Sequence, residues 1–564
     1  MVRRAESVRP QSSPRRTASV TRRVTTAAAA TLVPTLVPTL VPTLVACRRE
    51  HTGTHDSARA TSPAVATTNQ HKTAGAKAAS TSPPRNPSNR PDLAPKEWSR
   101  EDFARRSIPT DGTRLYAKTR HVWIYGEPDA SKQWIGYLWT GGSVKLRDPK
   151  PRYGIACNTF YAIEPRGYVC ADGDRVTTDP KDPVVVATYP YSPRTDAPFL
   201  HRYGESRGAP LYLKLPTEQE QSYRERDLTA HLRRVNAARE GNERHPSLAD
   251  VDLTPSPEWS FELPKLAPSV HEAHGELKAR STVAYSAEVR FLGRDFLLTS
   301  DYRFIPKDRV AVYPKSSFAG VRLDERIQLP LAWFRDDRVP RVKRNPDGSF
   351  TALEASFERL TYVMLTGKRE VENGTAYLET REGVWVKESS AVVPKLATKT
   401  PWDAEVGKTD ESPMRPKGRA TWIEVSILEG WLLAYEGTRP VFTTLISPGK
   451  GGLPRAGHDP LENSATPLGR FSITGKFISS TMVAPHDYIH SEVPFAQNFT
   501  GPYALHSAYW HNRWGHLMSG GCINLSPADA LYLFQWTEPP APPGWYGTRW
   551  LPYLEPATTL LVHR

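Results

Sequence analysis

Residues 506–536, HSAYWHNRWGHLMSGGCINLSPADALYLFQW, place a single cysteine in a glycine-rich turn shortly after three histidines. The thiolate is the nucleophilic form of cysteine, and a free thiol with a pKa near ~8.5 is mostly protonated at neutral pH. A cysteine nucleophile therefore needs a neighbouring base, which an imidazole can provide. The segment predicts a thiol nucleophile at Cys522 with His506 as its base.

The backbone around the cysteine favours a presented side chain. Gly520 and Gly521 precede Cys522 and permit positive φ and close approach of the backbone. Ser526 and Pro527 are typical of a helix N-cap and a first helical position, and apolar residues follow at helical spacing. We therefore expect a turn that enters a short helix. In this turn the N–H of Cys522, with help from Gly521, would face a developing oxyanion.

The same residues carry a family resemblance. The segment resembles the motif of the YkuD-type L,D-transpeptidases at His506, Ser519, Gly521, Cys522, Ile523 and Asn524. Upstream, TWIEVSILEGWLLAYEGTRPVFTTLISPGKGG (421–452) resembles the opening strands of that domain, and TPLGRFSITGK (466–476) resembles its Thr-Pro-x-Gly-x-Phe segment. The resemblance implies a β-rich catalytic domain over residues 419–564, with a short helix after the cysteine.

This resemblance implies acyl transfer on peptidoglycan without a cofactor. Cys522 would attack the carbonyl between the third and fourth residues of a stem tetrapeptide, release D-alanine and pass the acyl group to an amine, commonly that of diaminopimelate. His506 would be the general base, Ser507 the neighbour that orients it, and Gly521 part of the catalytic turn. One position departs from the family pattern, because Gly520 stands where a histidine is usual.

Five residues near the motif are candidates for substrate binding. Tyr488, Trp510 and Asn512 are predicted groove residues because they lie close to the motif in sequence. Ser519 and Asn524 belong to the motif itself. Trp510 is equally consistent with a core aromatic.

Two other interpretations of the cysteine and histidines remain open. An isolated cysteine in an exported protein is often half of a disulfide. A zinc site would need His506, His511, His516 and Cys522 to converge in a tetrahedron. Their spacing does not match the usual zinc-ligand patterns, so no metal site is predicted.

The N-terminus indicates export. Residues 1–23 contain seven arginines and one glutamate, and the apolar stretch AAAATLVPTLVPTLVPTLVA follows at 27–46. This pattern predicts a signal peptide over residues 1–46. The LVAC sequence that ends at Cys47 resembles the lipobox of bacterial lipoproteins, which implies lipidation of that cysteine. An ordinary cleaved signal is the alternative, and a spanning helix is disfavoured because three prolines interrupt the stretch.

The net charge and the absence of certain motifs indicate which kinds of molecule the protein could bind. The chain has a formal charge of +14, and about +8 remains once the basic signal is removed. Such a surface suits an anionic envelope polymer, and no nucleic-acid-binding motif is present. The family resemblance implies peptidoglycan stem peptides as the partner, and the N-terminus predicts a membrane contact through the lipid anchor and a location in the cell envelope or periplasm. No nucleic-acid partner is predicted.

The chain contains four cysteines. If Cys47 is lipidated and Cys522 is catalytic, Cys157 and Cys170 remain, and an oxidising compartment permits a disulfide between them. Such a bond would close a loop of about a dozen residues and stabilise the fold by ~3 kcal/mol in the chain-entropy model. Two free buried thiols are the alternative.

With 564 residues the chain exceeds the usual size of one core, and we predict a mainly β, multidomain protein. TRHVWIYGEPDASKQWIGYLWTGGSVKL and LTYVMLTGKREVENGTAYLETREGVWVKESSAVV have hairpin patterns that resemble bacterial SH3-like barrels, although generic β-modules fit as well. TEQEQSYRERDLTAHLRRVNAARE (217–240) is predicted as one charged helix with a solvated face. The predicted divisions are a signal (1–46), a disordered tether (47–108), an SH3-like module (109–180), a connecting region (181–290), a second β-module (291–400) and the catalytic domain (419–564).

Three functions remain open at this point. The leading hypothesis is an exported L,D-transpeptidase that crosslinks peptidoglycan or attaches something to it. The same site could use water as acceptor and act as an L,D-carboxypeptidase that trims stem peptides. A non-catalytic envelope lipoprotein that binds peptidoglycan is the third, since Gly520 replaces the usual histidine.

Overall fold

The computed structural model describes residues 107–258, 275–483 and 488–564. The predicted signal peptide, the lipidation site Cys47 and nearly all of the predicted tether lie outside these residues. Within the described residues no helix has the length and apolar composition needed to cross a bilayer. The predicted fold class, mainly β with a short helix after the cysteine, is confirmed.

The first module is a set of antiparallel strands closed by a disulfide. Apolar side chains on alternating strand positions, among them Leu115, Ile124 and Val169, form its core. Cys157 and Cys170 are joined by a disulfide. The strands are β1 (Arg114–Ala117), β2 (Val122–Tyr125), β3 (Trp134–Leu138), β4 (Ser143–Arg152), β5 (Phe160–Ile163), β6 (Tyr168–Cys170) and β7 (Val176–Thr177).

The next unit, which we call the middle module (residues 183–312), combines three helices with a five-stranded antiparallel sheet in the order β13-β12-β11-β8-β14. The β11–β12 hairpin crosses the predicted boundary at residue 290. The elements are α1 (Pro183–Thr188), β8 (Arg202–Ser206), β9 (Ala209–Pro210), α2 (Glu218–Arg224), α3 (Leu228–Arg239), β10 (Glu276–Leu277), β11 (Thr282–Phe291), β12 (Arg294–Thr299), β13 (Phe304–Pro306) and β14 (Val310–Val312).

The segment predicted as one charged helix forms two helices, α2 and α3. Glu225 interrupts it because its carboxylate turns inward and accepts hydrogen bonds from Arg294 (2.7 and 2.9 Å) and Arg309 (2.5 Å). The Glu225 side chain is 2% exposed. The charged run is therefore partly buried rather than wholly solvated.

A third unit holds a six-stranded antiparallel sheet in the order β16-β19-β20-β21-β17-β18. Asn373 and Gly374 have φ of 47° and 76° and connect β19 to β20, which is the positive-φ pair that a tight hairpin requires. The six strands of this sheet are β16 (Leu331–Trp333), β17 (Val339–Arg344), β18 (Phe350–Phe357), β19 (Tyr362–Glu372), β20 (Thr375–Thr380) and β21 (Trp385–Lys387). The short strand β15 (Val321–Arg322) precedes them and belongs to a different sheet. The SH3-like character of this unit and of the first module stays a prediction.

The C-terminal region packs two sheets and one helix around a large apolar core. Its elements are β22 (Thr421–Ser426), β23 (Trp431–Glu436), β24 (Arg439–Leu445), β25 (Gly469–Ser472), β26 (Gly475–Val483), β27 (Ile489–Thr500), β28 (Tyr503–Ser507), β29 (Ile523–Leu525), α4 (Pro527–Trp536), β30 (Gly547–Arg549) and β31 (Thr559–His563). Ser526 caps α4 by accepting a hydrogen bond from the Asp529 N–H, as the sequence predicts.

Strand pairing joins the first module to the C-terminal region. β30 pairs with β26 on one side and with β3 on the other. The result is a twelve-stranded sheet in the order β29-β28-β27-β26-β30-β3-β2-β6-β5-β4-β1-β7. A six-stranded sheet, β15-β24-β23-β22-β31-β25, completes the region. The first module and the C-terminal region are therefore parts of one continuous sheet.

Candidate active site

The predicted base lies on β28, and the cysteine immediately precedes β29, the neighbouring parallel strand at the edge of the twelve-stranded sheet. β28 and β29 pair with His506 opposite Asn524. Residues opposite each other in a ladder project from the same face. Cys522 immediately precedes β29, two residues before Asn524. The pairing therefore places the segment that carries Cys522 beside the strand that carries His506, although the two residues are 16 positions apart in the chain.

The turn before the cysteine depends on Gly521. Its φ is +134°, and a Cβ at this position would lie 2.7 Å from the Tyr503 ring and 2.9 Å from the Ala465 carbonyl oxygen. The Gly521 N–H donates to Ser519 Oγ at 3.0 Å, and the Ser519 hydroxyl donates to the Cys522 carbonyl. Ser519 thus ties the turn together. The sequence predicts that the Gly521 N–H helps to bind the oxyanion. In the structure this N–H instead donates its hydrogen bond to the Ser519 hydroxyl.

The thiol is buried. Cys522 is 3% exposed, and its Sγ donates to the Pro502 carbonyl oxygen at 3.8 Å. Within the described residues it is the one cysteine outside a disulfide. The interpretation of Cys522 as half of a disulfide with Cys157 or Cys170 is excluded because those two are bonded to each other.

The imidazole of His506 has a defined tautomer. Its Nδ1 lies 2.8 Å from the Ser507 carbonyl oxygen, and because that oxygen only accepts, Nδ1 carries the hydrogen. Nε2 is left as the basic nitrogen. Burial lowers the pKa of His506 to about 4, so the ring is neutral at pH 7. Ser507 therefore orients the ring through its carbonyl oxygen, while its Oγ is buried without a hydrogen-bond partner among the described residues.

Three imidazoles surround Trp510. The His490 ring stacks on the indole at 4.1 Å, and the His506 ring lies 6.0 Å from it. Burial, together with the neighbouring imidazoles, lowers the pKa of His490 to about 3 and that of His511 to about 3. His490 was not predicted from the sequence. It lies on β27, outside the motif, and only sheet pairing brings it to the site.

His511 and Asn524 form a second hydrogen-bonded pair. The Arg513 N–H donates to His511 Nδ1 at 3.2 Å, so the hydrogen of this neutral ring is on Nε2. The amide atom that faces this nitrogen at 3.2 Å is Asn524 Nδ2, which would be a second donor, and Asn524 Oδ1 has no hydrogen-bond partner among the described residues. The hydrogen-bond pattern therefore assigns the amide oxygen to the atom that faces His511. Asn524 is thereby held beside His506 through the ladder.

The other predicted residues are divided between the site and its surroundings. Tyr488 packs edge-on against His490 at 5.2 Å and so joins the ring cluster. Asn512 instead accepts a hydrogen bond from Ser316 Oγ at 2.8 Å, and its carbonyl accepts one from Arg359. These contacts direct Asn512 toward upstream residues, which is the physical reason that it does not join the cluster. Its role in substrate binding stays a prediction.

His516 likewise lies away from the ring cluster. Its Nε2 is 3.4 Å from Asp336, in the third unit. Within the described residues, the group with ligand atoms close enough to hold a metal ion is Cys157, Cys170 and Asp172, and its two sulfurs are bonded to each other. The four residues of the alternative zinc set are therefore not gathered around one point.

The middle module fixes the strand that carries His490. Tyr203 stacks on Tyr509 with ring centroids 3.7 Å apart, and its hydroxyl donates to the Glu492 carbonyl at 3.0 Å. The Ser491 N–H donates to Thr282 Oγ1 at 2.7 Å. Contacts at the two residues that follow His490 thus tie β27 to residues that lie more than 200 positions earlier in the chain.

Comparison with known proteins gives a family for this region. The YkuD family model, described as the L,D-transpeptidase catalytic domain, matches residues 420–549. No curated protein matches the chain. The predicted resemblance is confirmed over the matched residues.

Solved structures that are similar to the chain include three L,D-transpeptidases. That from Xylanimonas cellulosilytica is 21% identical, with 25% of this chain and 60% of that chain covered and a TM-score of 0.17. That from Stackebrandtia nassauensis is 22% identical, with 26% and 57% covered and a TM-score of 0.18. The catalytic domain from E. faecium is 20% identical, with 26% and 100% covered and a TM-score of 0.19. The chain thus spans less than two thirds of the first two.

Proposed function

We propose, from the YkuD L,D-transpeptidase catalytic domain at residues 420–549, that this protein is a peptidoglycan L,D-transpeptidase with Cys522 as nucleophile. The single observation that supports the proposal is the parallel β28–β29 pairing, which sets His506 opposite Asn524, two residues after Cys522. The fixed tautomer and neutral state of the imidazole support the same assignment.

In the first half-reaction His506 Nε2 takes the thiol proton, and Cys522 Sγ attacks the carbonyl carbon between the third and fourth residues of a stem tetrapeptide. A C–S bond forms and the C–N bond to D-alanine breaks. The proton on His506 passes to the departing amine, so the ring is neutral again once D-alanine has left. A neutral ring can begin this cycle, because the pKa of about 4 keeps His506 unprotonated at pH 7.

In the second half-reaction an acceptor amine attacks the thioester carbon. A C–N bond forms, the C–S bond breaks, and the amine proton returns through His506 to the thiolate. Water in place of the amine would give hydrolysis and the carboxypeptidase activity. Tyr488, Trp510, Ser519 and Asn524 are the residues that we assign to the substrate side, because they adjoin Cys522 and His506 through the ring cluster, the turn or the ladder.

We further propose that the protein is exported to the cell envelope, where peptidoglycan is found, and that it is anchored through lipidated Cys47. The disulfide between Cys157 and Cys170 supports an oxidising compartment. A variant with Cys47→Ala tests the anchor, because it should move from the membrane fraction to the soluble fraction of envelope extracts. Retention of that variant in the membrane would contradict lipidation.

Carbapenem labelling tests the enzyme claim. One similar solved L,D-transpeptidase is in complex with imipenem, and another is acylated by ertapenem. Mass spectrometry of the folded protein should place an acyl adduct on Cys522, with none on Cys522→Ala and a much slower adduct on His506→Ala. An intact wild type without adduct, which binds sacculi as well as Cys522→Ala does, would favour the non-catalytic alternative.

Product analysis separates transfer from hydrolysis. Incubation with a disaccharide-tetrapeptide should give crosslinked dimers together with free D-alanine. Tripeptide alone, with no dimer, would assign the protein as an L,D-carboxypeptidase.

A further inference from the structure

A cavity of about 560 Å³ lies where the middle module meets the C-terminal region. The residues that line it belong to the middle module and the loop that follows β14, except for Tyr509, which comes from the segment after β28. The cavity is therefore formed mainly by residues upstream of the C-terminal region and lies beside that region.

The floor of the cavity is aromatic and rigid. Tyr203 and Tyr509 stack at 3.7 Å, and Tyr285 and Phe199 are buried beside them. The Tyr509 hydroxyl donates to the Ser491 carbonyl at 2.6 Å, and this hydrogen bond holds the Tyr509 ring in place. Rings held in this way offer apolar area to the methylene and methyl groups of a ligand at little entropic cost.

The rim carries charges of both signs. Arg244, Lys315 and Asp250 line the opening and are exposed. Deeper in, the carboxylate of Glu288 accepts from Arg202 at 2.6 Å and from Lys307 at 2.8 Å. Of the charged residues that line the cavity, three are basic and three are acidic, so a ligand with only one sign of charge would meet repulsion from half of them (Arg202, Arg244, Lys315; Asp250, Asp252, Glu288). A ligand with both a carboxylate and an ammonium group is complementary to them.

The cavity adjoins the candidate active site through two rings. Tyr509 contacts Trp510 with ring centroids 5.0 Å apart, and Trp510 lies 6.0 Å from His506. An extended peptide of three residues covers roughly 10 Å. Tyr509, on the cavity wall, therefore lies within about the length of a short peptide from the His506 ring.

We infer that this cavity binds the acceptor peptide, a short peptide that carries both carboxylate and amine groups, while its attacking amine reaches the thioester on Cys522. The inference rests on the proposed function and deepens it by naming a site for the second substrate. The amine forms the new C–N bond, the C–S bond breaks, and the amine proton goes to the Cys522 thiolate through His506. An acceptor held in this way competes with water, so the cavity sets the ratio of transfer to hydrolysis.

The test measures the two half-reactions separately in the full exported chain. The variants are the double charge reversal Arg244→Glu with Lys315→Glu and the single change Asp250→Asn, which suits the positive φ of 59° at that position. Lys343→Glu, a charge reversal at an exposed lysine in β17, is the matched control. With a disaccharide-tetrapeptide as the probe, the acyl-enzyme is followed by mass spectrometry and the products by the ratio of dimer to tripeptide.

We expect the double variant to form the acyl-enzyme at a rate within twofold of wild type and to lower the dimer-to-tripeptide ratio about tenfold, which corresponds to ~1.4 kcal/mol of lost acceptor binding. Asp250→Asn should lower the ratio in the same direction, and the Lys343→Glu control should leave it unchanged. Normal acylation with an unchanged ratio in both cavity variants would overturn the inference. Failure of the wild type to acylate would instead overturn the proposed function.

Discussion

At the scale of single residues, the site depends on backbone atoms as much as on side chains. The Ser507 carbonyl selects the tautomer of His506, and the Ser519 hydroxyl closes the turn before Cys522. Gly521 is required because its φ and the nearby Ala465 carbonyl leave no room for a Cβ. The orientation of the His506 ring and the shape of the turn before Cys522 therefore depend on a few backbone contacts.

Replacement of this glycine by alanine should disrupt the turn. In Gly521→Ala the new Cβ would lie 2.9 Å from a backbone oxygen that cannot rotate away, at a φ of +134°. We expect a loss of stability of about 2–3 kcal/mol and acylation of Cys522 slowed at least tenfold. Urea denaturation and carbapenem labelling measure the two effects.

Gly501→Ala is the matched control. Its φ is +45°, and a Cβ added at this position would have no atom within 4 Å. It should lose no more than about 1–2 kcal/mol and keep normal labelling. Equal effects of the two changes would contradict the steric argument.

The pH dependence of stability follows from the neutral histidines. Burial lowers the folded-state pKa of His506 to about 4, whereas an unfolded histidine titrates near ~6.5. Above pH 6.5 both states are neutral and no cost arises. Between pH 6.5 and 4 only the unfolded chain takes the proton, so stability should fall by up to ~1.4 kcal/mol per pH unit for this residue. His490 and His511 add losses of the same sign.

Denaturation curves at pH 7.5, 6, 5 and 4.5 check this expectation. His506→Gln should flatten the dependence, and His458→Gln, at an exposed histidine, should leave it as in wild type. A stability that rises on acidification across this range would contradict the sign.

At the scale of elements, pairing and packing decide which residues meet. The parallel β28–β29 pair aligns His506 with Asn524, and β27 supplies His490 to the same cluster. In the middle module, α2 ends where Glu225 turns toward Arg294 and Arg309. The hydrogen bonds of this buried carboxylate therefore end the helix at a point where the sequence pattern predicts that it continues.

Removal of this buried carboxylate should destabilise the middle module. Glu225→Ala leaves the guanidinium groups of Arg294 and Arg309 without their shared partner in a buried environment. We expect a loss of about 3–5 kcal/mol. Hydrogen exchange of α2 and α3, followed by mass spectrometry, localises the effect.

Glu218→Ala removes an exposed carboxylate from the first turn of the same helix and serves as the control. Exchange in α2 and α3 should stay close to that of wild type. Similar exchange in both variants would show that the buried cluster does not hold the module.

At the scale of the whole molecule, the upstream modules are part of the scaffold of the site. The first module extends the sheet that ends in β28 and β29, and the middle module holds β27 through Tyr203 and Thr282. Tyr509 lines the cavity and contacts Trp510 in the ring cluster. Catalysis by the C-terminal region is therefore expected to depend on residues outside it.

The variant Tyr203→Ala tests whether the candidate active site depends on the middle module. Tyr203→Ala removes the stack on Tyr509 and the hydrogen bond to the Glu492 carbonyl. We expect a destabilisation of about 3–5 kcal/mol, faster hydrogen exchange at residues 488–491 and slower acylation of Cys522. Tyr223→Ala, at a tyrosine that is 88% exposed, should leave all three measurements unchanged. Normal acylation by a folded Tyr203→Ala protein would show that the C-terminal region works independently.

The sequence by itself determined the mainly β class, the turn that enters α4, the hairpin at Asn373 and Gly374, and the YkuD match. These features depend on residues within a few positions of one another, where φ preferences, capping and strand alternation act directly. Tertiary structure decided the ring cluster with His490, the break between α2 and α3, the direction of Asn512 and the continuous sheet. Each of these depends on partners tens to hundreds of residues away, and local propensities carry no information about which distant surfaces will bury one another.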